Sequence, residues 1–382
     1  MKLLHTSDLH LGIRLGEYSL IEDQEYILNS IVRLAEAEAV DGVIIAGDIY
    51  DRSVPSAEAV ALFDDFITNI NGIGIRAFII SGNHDSSERV ACGASLMAKS
   101  GVHISPVFGG VAECVSLQDE YGEVRIHLLP FIKPAYVRRF FECPDELSYT
   151  DALRRVISGM NIDKGVRNVI LTHQFVTGAS RSESEDISVG GCDNVDASVY
   201  ADFDYVAMGH IHSPQCCGDE HINYSGTPLK YSFSEVNDIK SVTVVELLEK
   251  GSLTVRRIPL APRRDLKVIK GSYAELTSRS YYEGTSLTDD YIGVCLTDEE
   301  DVVDAISKLR IIYKNIVKLW YSNSKTDIIG FVDMPEDTLS KSPYDMFEEF
   351  YRARNGADMS RSQAEYIRRA IEKVWEGNDE TD

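Results

Sequence analysis

The sequence predicts an α/β protein: a two-sheet β-sandwich flanked by helices, followed by a small α/β capping domain and C-terminal helices. Three observations lead there. Short Val/Ile/Leu runs read as buried strands and alternate with helical segments, the signature of βαβ units. Other runs alternate apolar with polar residues, as half-exposed strands do. Two prolines three residues apart then break the pattern near residue 260.

The elements follow in order. Leu3-Leu4 is the first buried run, ahead of Asp8 and His10, and helical spacing follows at Ile27, Ile31, Leu34 and Ala35. Val43-Ile44-Ile45 precedes Asp48, and Val60, Phe63, Phe66, Ile67 and Ile70 mark the next helix. Phe78-Ile79-Ile80 precedes Asn83 and His84, Val169-Ile170-Leu171 precedes His173, and Tyr205-Val206-Ala207-Met208 precedes His210 and His212. Arg125-Ile126-His127-Leu128-Leu129 and Leu253-Thr254-Val255-Arg256-Arg257-Ile258 alternate, which predicts a second, partly exposed layer.

Pro259-Leu260-Ala261-Pro262-Arg263-Arg264-Asp265 suits neither a helix nor a central strand, so a first domain is expected over residues 1–262. A small unit follows over 263–335, with strands at Lys267 to Lys270, Tyr291 to Leu296 and Ile316 to Tyr321. Helical stretches around Tyr273 to Ser278 and Val302 to Ile311 separate them. Residues 336–382 read as a helix pair joined at Gly356. Its first helix gathers Tyr344, Phe347, Phe350 and Tyr351. The second opens on the capping pattern Ser360-Arg361-Ser362-Gln363 and stripes Ile367, Ala370, Ile371, Val374 and Trp375 along one face. A pair this apolar needs cover, from its own chain or from a partner's helix.

Bulk properties narrow the function. Of 382 residues, 44% are hydrophobic and 26% charged, as in globular proteins. No apolar stretch approaches the roughly 18 residues of a membrane span, and the polar His5-Thr6-Ser7-Asp8 cuts off any leader-peptide core, so a cytoplasmic protein is expected. The seven cysteines show no C-x-x-C spacing, which argues against a disulfide framework or a zinc knuckle. A net charge of −23 is unfavourable for a stand-alone nucleic-acid binder. If DNA is the substrate, metals or a partner must supply the attraction; the basic pairs Arg138-Arg139, Arg154-Arg155, Arg256-Arg257 and Arg263-Arg264 are short.

The chemistry lies where the buried runs end. Asp8-Leu9-His10, Gly47-Asp48-Ile49-Tyr50-Asp51, Gly82-Asn83-His84-Asp85, Thr172-His173 and Gly209-His210-Ile211-His212 each follow a run and hold five of the nine histidines. In an α/β sheet, ligands gather outside the carboxyl ends of the strands, so one dinuclear metal site assembled from five loops is predicted. Imidazole, carboxylate and amide ligands suit a borderline or hard divalent ion, and the absence of cysteine argues against a thiolate zinc site.

In this order the motifs D-x-H, G-D-x-x-D, G-N-H-D, H and G-H-x-H resemble those of the calcineurin-like metallophosphoesterases. Within that superfamily, His5-Thr6-Ser7-Asp8-Leu9-His10-Leu11-Gly12, Gly47 to Arg52, Ser225-Gly226-Thr227-Pro228-Leu229 and Ser342 to Tyr351 look like segments of the SbcD family, the nuclease components of SbcCD complexes. The resemblance covers nearly the whole chain. It implies one metal on Asp8, His10, Asp48 and His212, and a second on Asp48, Asn83, His173 and His210, with Asp48 shared. Such a pair would lie about 3.5–4 Å apart. The resemblance further implies manganese, although the residues themselves leave iron and zinc open, and a substrate-facing His84 that assists the leaving group.

It also implies 3′→5′ exonuclease and endonuclease action on duplex DNA ends and hairpins. The expected partner is an SbcC-type coiled-coil ATPase, gripped by the C-terminal helices, with a homodimer inside a larger complex. Asp51 and Asp85 are expected to hold loop geometry or histidine tautomers, while His5, His103, His127 and His221 fall outside the motifs. The chain has no G-x-x-x-x-G-K-[ST] loop, so ATP hydrolysis is left to a partner. Two rivals stand beside this reading: a phosphomonoesterase or protein phosphatase of the same fold, and a non-catalytic scaffold stapled by metal. Ser53 and Ser81 depart from the phosphatase patterns G-D-x-x-D-R-G and R-G-N-H-E.

Overall fold

The computed structural model describes residues 1–144, 146–180, 194–218, 220–323, 344, 347–348, 351–352 and 358–367. The chain begins with β1 (Lys2–Thr6), α1 (Ile21–Ala37), β2 (Gly42–Ala46), α2 (Ala57–Gly72), β3 (Arg76–Ile80) and β4 (Val102–Ile104). It continues through β5 (Glu113–Asp119), β6 (Gly122–Leu128), α3 (Tyr149–Gly159), β7 (Arg167–His173) and β8 (Tyr205–Gly209). Next come β9 (Gln215–Cys216), β10 (Ile222–Tyr224), β11 (Ser241–Leu247) and β12 (Leu253–Pro259). The small unit holds β13 (Leu266–Gly271), α4 (Tyr273–Leu276), β14 (Tyr291–Leu296), α5 (Ala305–Arg310) and β15 (Asn315–Tyr321).

Two six-stranded sheets result, in the orders β12-β11-β1-β2-β3-β4 and β9-β10-β8-β7-β6-β5. In the first, β1 to β4 run parallel and the β11-β12 hairpin joins antiparallel to β1. In the second, β10, β8, β7 and β6 run parallel between antiparallel edges. Side chains alternate across each strand. Leu3, Ile44, Ala46, Phe78 and Ile80 therefore meet Ile126, Leu128, Val169, Leu171 and Ala207 between the sheets. Leu4, Val43, Ile45, Ala77 and Ile79 turn the other way, onto Ile27 and Ile31 of α1 and Phe63, Phe66 and Ile70 of α2. Behind the second sheet, Ile170, Val206 and Met208 pack with Leu153 and Val156 of α3. Both faces are covered, which is why these strands read as unbroken apolar runs.

The sandwich matches the predicted class, but its layers divide differently. The alternating run Leu253–Pro259 is the edge of the first sheet, and the buried runs of β7 and β8 form the centre of the second. Exposure distinguishes edge from centre, and both sheets have both.

The small sheet, ordered β13-β14-β15 with β13 parallel to β14, belongs to one compact unit, Met1–Trp320, and places Leu266 and Tyr291 in the same core as α1. Phe233 packs on Trp320 with ring centroids 6.0 Å apart, and a Cβ at Gly293 would come within 2.6 Å of the Phe233 ring. Tyr321–Asp382 forms a second unit. There residues 361–367 are helical, and Ser360 and Gln363 form the expected cap, with Gln363 Oε1 accepting from the Ser360 amide at 2.9 Å. Phe347, Tyr351, Met359, Ser362, Gln363, Tyr366 and Ile367 line a cavity of about 280 Å³. Phe350, Gly356, Ala370, Ile371, Val374 and Trp375 lie outside the described residues. Among the described residues no helix is long and apolar enough to cross a membrane.

Candidate metal centre

The centre straddles the carboxyl ends of both sheets. Asp8 and His10 follow β1, Asp48 follows β2, and Asn83 and His84 follow β3; His173 ends β7, and His210 and His212 follow β8. Four of these residues turn the chain through the left-handed region: Asp8 (φ 52°), His10 (φ 43°), Asp48 (φ 48°) and His210 (φ 95°). Such conformations cost on the order of 1–3 kcal/mol each and persist only where the surroundings enforce them.

The surroundings do so through hydrogen bonds between loops. The Asp8 amide donates to Gly47 O at 3.0 Å and the His10 amide to Asp48 O at 3.0 Å. The His84 amide donates to Asp48 Oδ1 at 2.9 Å, and the His210 amide donates to Asp8 Oδ1 at 2.9 Å. Two glycines allow the close approach. A Cβ at Gly82 would lie 2.1 Å from Asp48 Oδ1, and one at Gly209 would lie 2.0 Å from Ala46 O.

The donor atoms converge. His173 donates from Nδ1 to Ala46 O at 2.8 Å, which directs Nε2 to 3.2 Å from Asp48 Oδ2 and 2.9 Å from Asn83 Oδ1. His210 Nδ1 lies 2.9 Å from the same Asn83 oxygen. His10 is buried with neither ring nitrogen hydrogen-bonded, and its Nε2 lies 3.8 Å from Asp48 Oδ2. Unsatisfied buried polar atoms are costly, and here they face carboxylates and imidazoles already gathered at one point. Donor atoms within 4.8 Å of one another group Asp8, His10 and His212; His10, Asp48 and His84; and Asp8, Asp48 and His173. This overlapping set of oxygen and imidazole donors fits a pair of divalent cations.

Charge is concentrated accordingly. Burial pushes the Asp8 carboxyl up and His10 down to about 3. Burial also opposes the charged forms of Asp48 and His173, but their mutual attraction overrides it. Asp48 is held below the usual carboxylate range and His173 is raised to about 9.

The remaining predicted residues take supporting positions. Asp85 spends its carboxylate on backbone, accepting from the Ile49, Tyr50 and Gly82 amides at 3.0, 2.9 and 2.9 Å, and burial raises it to about 6. The Asp51 carbonyl lies 3.1 Å from His84 Nδ1, while its carboxylate lies 3.4 Å from Arg52 Nε. The His84 ring meets His10 edge-on at 4.8 Å. His5, His103 and His127 sit elsewhere, against Tyr205, Phe78 and Asn168, and His221 precedes β10.

Three residues escaped the motif reading. Gln24 of α1 donates to the carbonyls of Leu9 (3.1 Å) and His10 (2.9 Å) and accepts from the Gly12 amide (3.0 Å). Tyr231 donates to Leu9 O at 2.6 Å, and Glu235 Oε1 lies 3.6 Å from His212 Nδ1. A signal existed for Gln24, which stands one turn before Ile27 on the apolar stripe, where a polar residue must find partners.

Comparison with known proteins accords with this geometry. Residues 1–214 match the profile of the calcineurin-like phosphoesterases, and residues 262–355 match one described as a type 5 capsule protein repressor C-terminal domain. The chain is 31% identical over 378 residues to the SbcD component of the nuclease SbcCD from Staphylococcus epidermidis, covering 97% of this chain and 98% of that one. It is 32% identical over 381 residues to the SbcD component of the same nuclease from Staphylococcus saprophyticus, covering 98% and 99%. A crystal structure of a dimetal phosphatase from Danio rerio aligns at 11% identity with a TM-score of 0.41, covering 69% of this chain and 98% of that one. With one profile spanning more than half of its length and these relatives matched from end to end, the chain belongs to the calcineurin-like phosphoesterases, in the SbcD family of SbcCD nuclease components.

Proposed function

We propose that this chain is a manganese-dependent DNA nuclease, acting in the cytoplasm as a 3′→5′ exonuclease on duplex ends and as an endonuclease on hairpins. In this reading it works as a homodimer with an SbcC-type coiled-coil ATPase. The convergence of Asp8, His10, Asp48, Asn83, His173, His210 and His212 carries the proposal, in a chain whose full-length relatives are named as components of the nuclease SbcCD. Residues 1–262 would be the nuclease domain, 263–335 a capping domain that contacts DNA, and 336–382 the partner-binding helices.

One cation would be held by Asp8, His10, Asp48 and His212, and the other by Asp48, Asn83, His173 and His210. Bound there, the pair would supply Lewis acidity to a phosphoryl oxygen and bring the pKa of water toward neutrality. Asp48 is suited to the shared position. The His84 amide occupies Oδ1, and Oδ2 lies between His10 and His173 at 3.8 and 3.2 Å. Ala46 O fixes the His173 tautomer, the arrangement by which outer hydrogen bonds orient metal-binding imidazoles. His84 has its Nδ1 at the Asp51 carbonyl and would pass a proton to the departing sugar oxygen. Phe131 stacks on the His210 ring, with centroids 6.4 Å apart, and walls that side of the centre with apolar surface.

The deciding assay compares end-labelled duplex DNA with p-nitrophenyl phosphate, both with Mn²⁺. Shortening of the duplex is expected. Intact DNA beside rapid turnover of the monoester would replace this proposal with the phosphomonoesterase reading.

A further inference from the structure

We infer that Glu235 is a positioning residue for His212, setting which imidazole nitrogen faces the centre, and that Lys240 and Thr227 lock the pair in place. The inference rests on the two-cation reading above and adds residues outside the strand-end motifs.

Glu235 is fully buried, and a buried carboxylate persists only where partners compensate its lost hydration. Three donors gather on one of its oxygens. Oε2 accepts from Lys240 Nζ at 2.6 Å, Thr227 Oγ1 at 3.2 Å and the Tyr231 amide at 3.4 Å. The other oxygen, Oε1, lies 3.6 Å from His212 Nδ1. Lys240 Nζ, itself buried, supplies the compensating positive charge.

His212 is gripped at its backbone by the same group. Its carbonyl accepts from Lys240 Nζ at 3.0 Å and from the Thr227 amide at 3.0 Å, with the Thr227 hydroxyl, whose single proton goes to Glu235, 3.4 Å away. Lys240 thus ties the ring's carboxylate to the ring's own main chain. A carboxylate on Nδ1 selects the tautomer with Nε2 free for coordination and makes that nitrogen more basic. The His212 ring lies 5.0 Å from His10, in the group that includes Asp8. Exchanging such a buried Glu–Lys pair for apolar residues is often nearly neutral for stability, so its effect on His212 can be tested apart from folding.

The test titrates metal-free protein with Mn²⁺ by calorimetry, alongside thermal melts of the metal-free chains. Wild type is expected to bind two Mn²⁺. The double variant Glu235→Leu/Lys240→Met removes both buried charges together; it should melt cooperatively, yet bind one of the two ions about 10–100-fold more weakly. Glu235→Gln keeps an acceptor oxygen and should lose less. Should the double variant fail to fold, Glu235→Gln alone decides, by weakened or unchanged affinity for one ion. Variants that bind both ions as tightly as wild type overturn the inference and leave the cation reading standing. A wild type that takes up no Mn²⁺ overturns the cation reading and the inference with it.

Discussion

His84 and His5 show how differently two buried or half-buried imidazoles serve one chain. His84 meets His10 edge-on and lies with its Nδ1 at the Asp51 carbonyl, and in the proposed mechanism its ring would address the substrate while the seven other residues hold the ions. His84→Gln is therefore expected to lower turnover by about 10²–10⁴-fold while Mn²⁺ content by elemental analysis stays at the wild-type value; equal turnover removes His84 from the mechanism. His5 lies inside the sandwich, 3.0 Å from the Tyr205 hydroxyl, and burial drives its imidazole down to about 3. An unfolded histidine takes up a proton near pH 6.5, whereas the folded one resists until far lower. Its stabilisation is thus complete above about pH 6.5 and is lost as the pH falls toward 3. Between pH 7 and pH 5, in chelator, the wild type should lose about 2 kcal/mol more stability to urea than His5→Gln does. Parallel losses would show that His5 is protonated in the fold. The donors themselves were legible because each stands at the end of a recognisable apolar run. Glu235 and Lys240 were not, since a buried ion pair leaves no periodic trace and its meaning depends on a partner more than twenty residues away, as His212 and Glu235 are.

At the scale of elements, α1 joins the centre to the small sheet through adjacent residues. Gln24 holds the Leu9 and His10 carbonyls, while Asp23 accepts from Arg264 Nε at 2.9 Å and from the Tyr291 hydroxyl at 2.8 Å. The Arg264 guanidinium also lies over the Tyr291 ring, 5.2 Å from its centroid. Because Asp23 is buried, Arg264→Met strips its charged donor and is expected to cost about 1–3 kcal/mol in urea unfolding, with Tyr291→Phe costing about 1 kcal/mol. Unchanged midpoints would detach α1 from the small sheet. The periodicity at Ile27 and Ile31 disclosed this helix and its core face, and β13 to β15 fell close to where apolar runs predicted them. What the pattern could not disclose was sheet membership. Leu253–Pro259 alternates because it is an edge strand, and no local feature distinguishes the edge of one sheet from the face of another.

For the whole molecule, the net charge of −23 and the apolar residues near the C-terminus both bear on assembly. The cavity lined by Phe347, Tyr351, Tyr366 and Ile367 belongs to the unit Tyr321–Asp382. Removing residues 340–382 is expected to abolish pull-down of a coiled-coil ATPase partner while sparing Mn²⁺-dependent cleavage of single-stranded DNA; retained pull-down would move the interface elsewhere. The placement of the centre has a mechanical side as well. Asp8, His10, Asp48 and Asn83 come from one sheet and His173, His210 and His212 from the other, so the donors lie across the seam where the two sheets would part. Parting the two sheets along that seam would pull the set apart. An ion held across that seam would act as a latch, and the lifetime of the closed sandwich would then be tied to how slowly that latch is released.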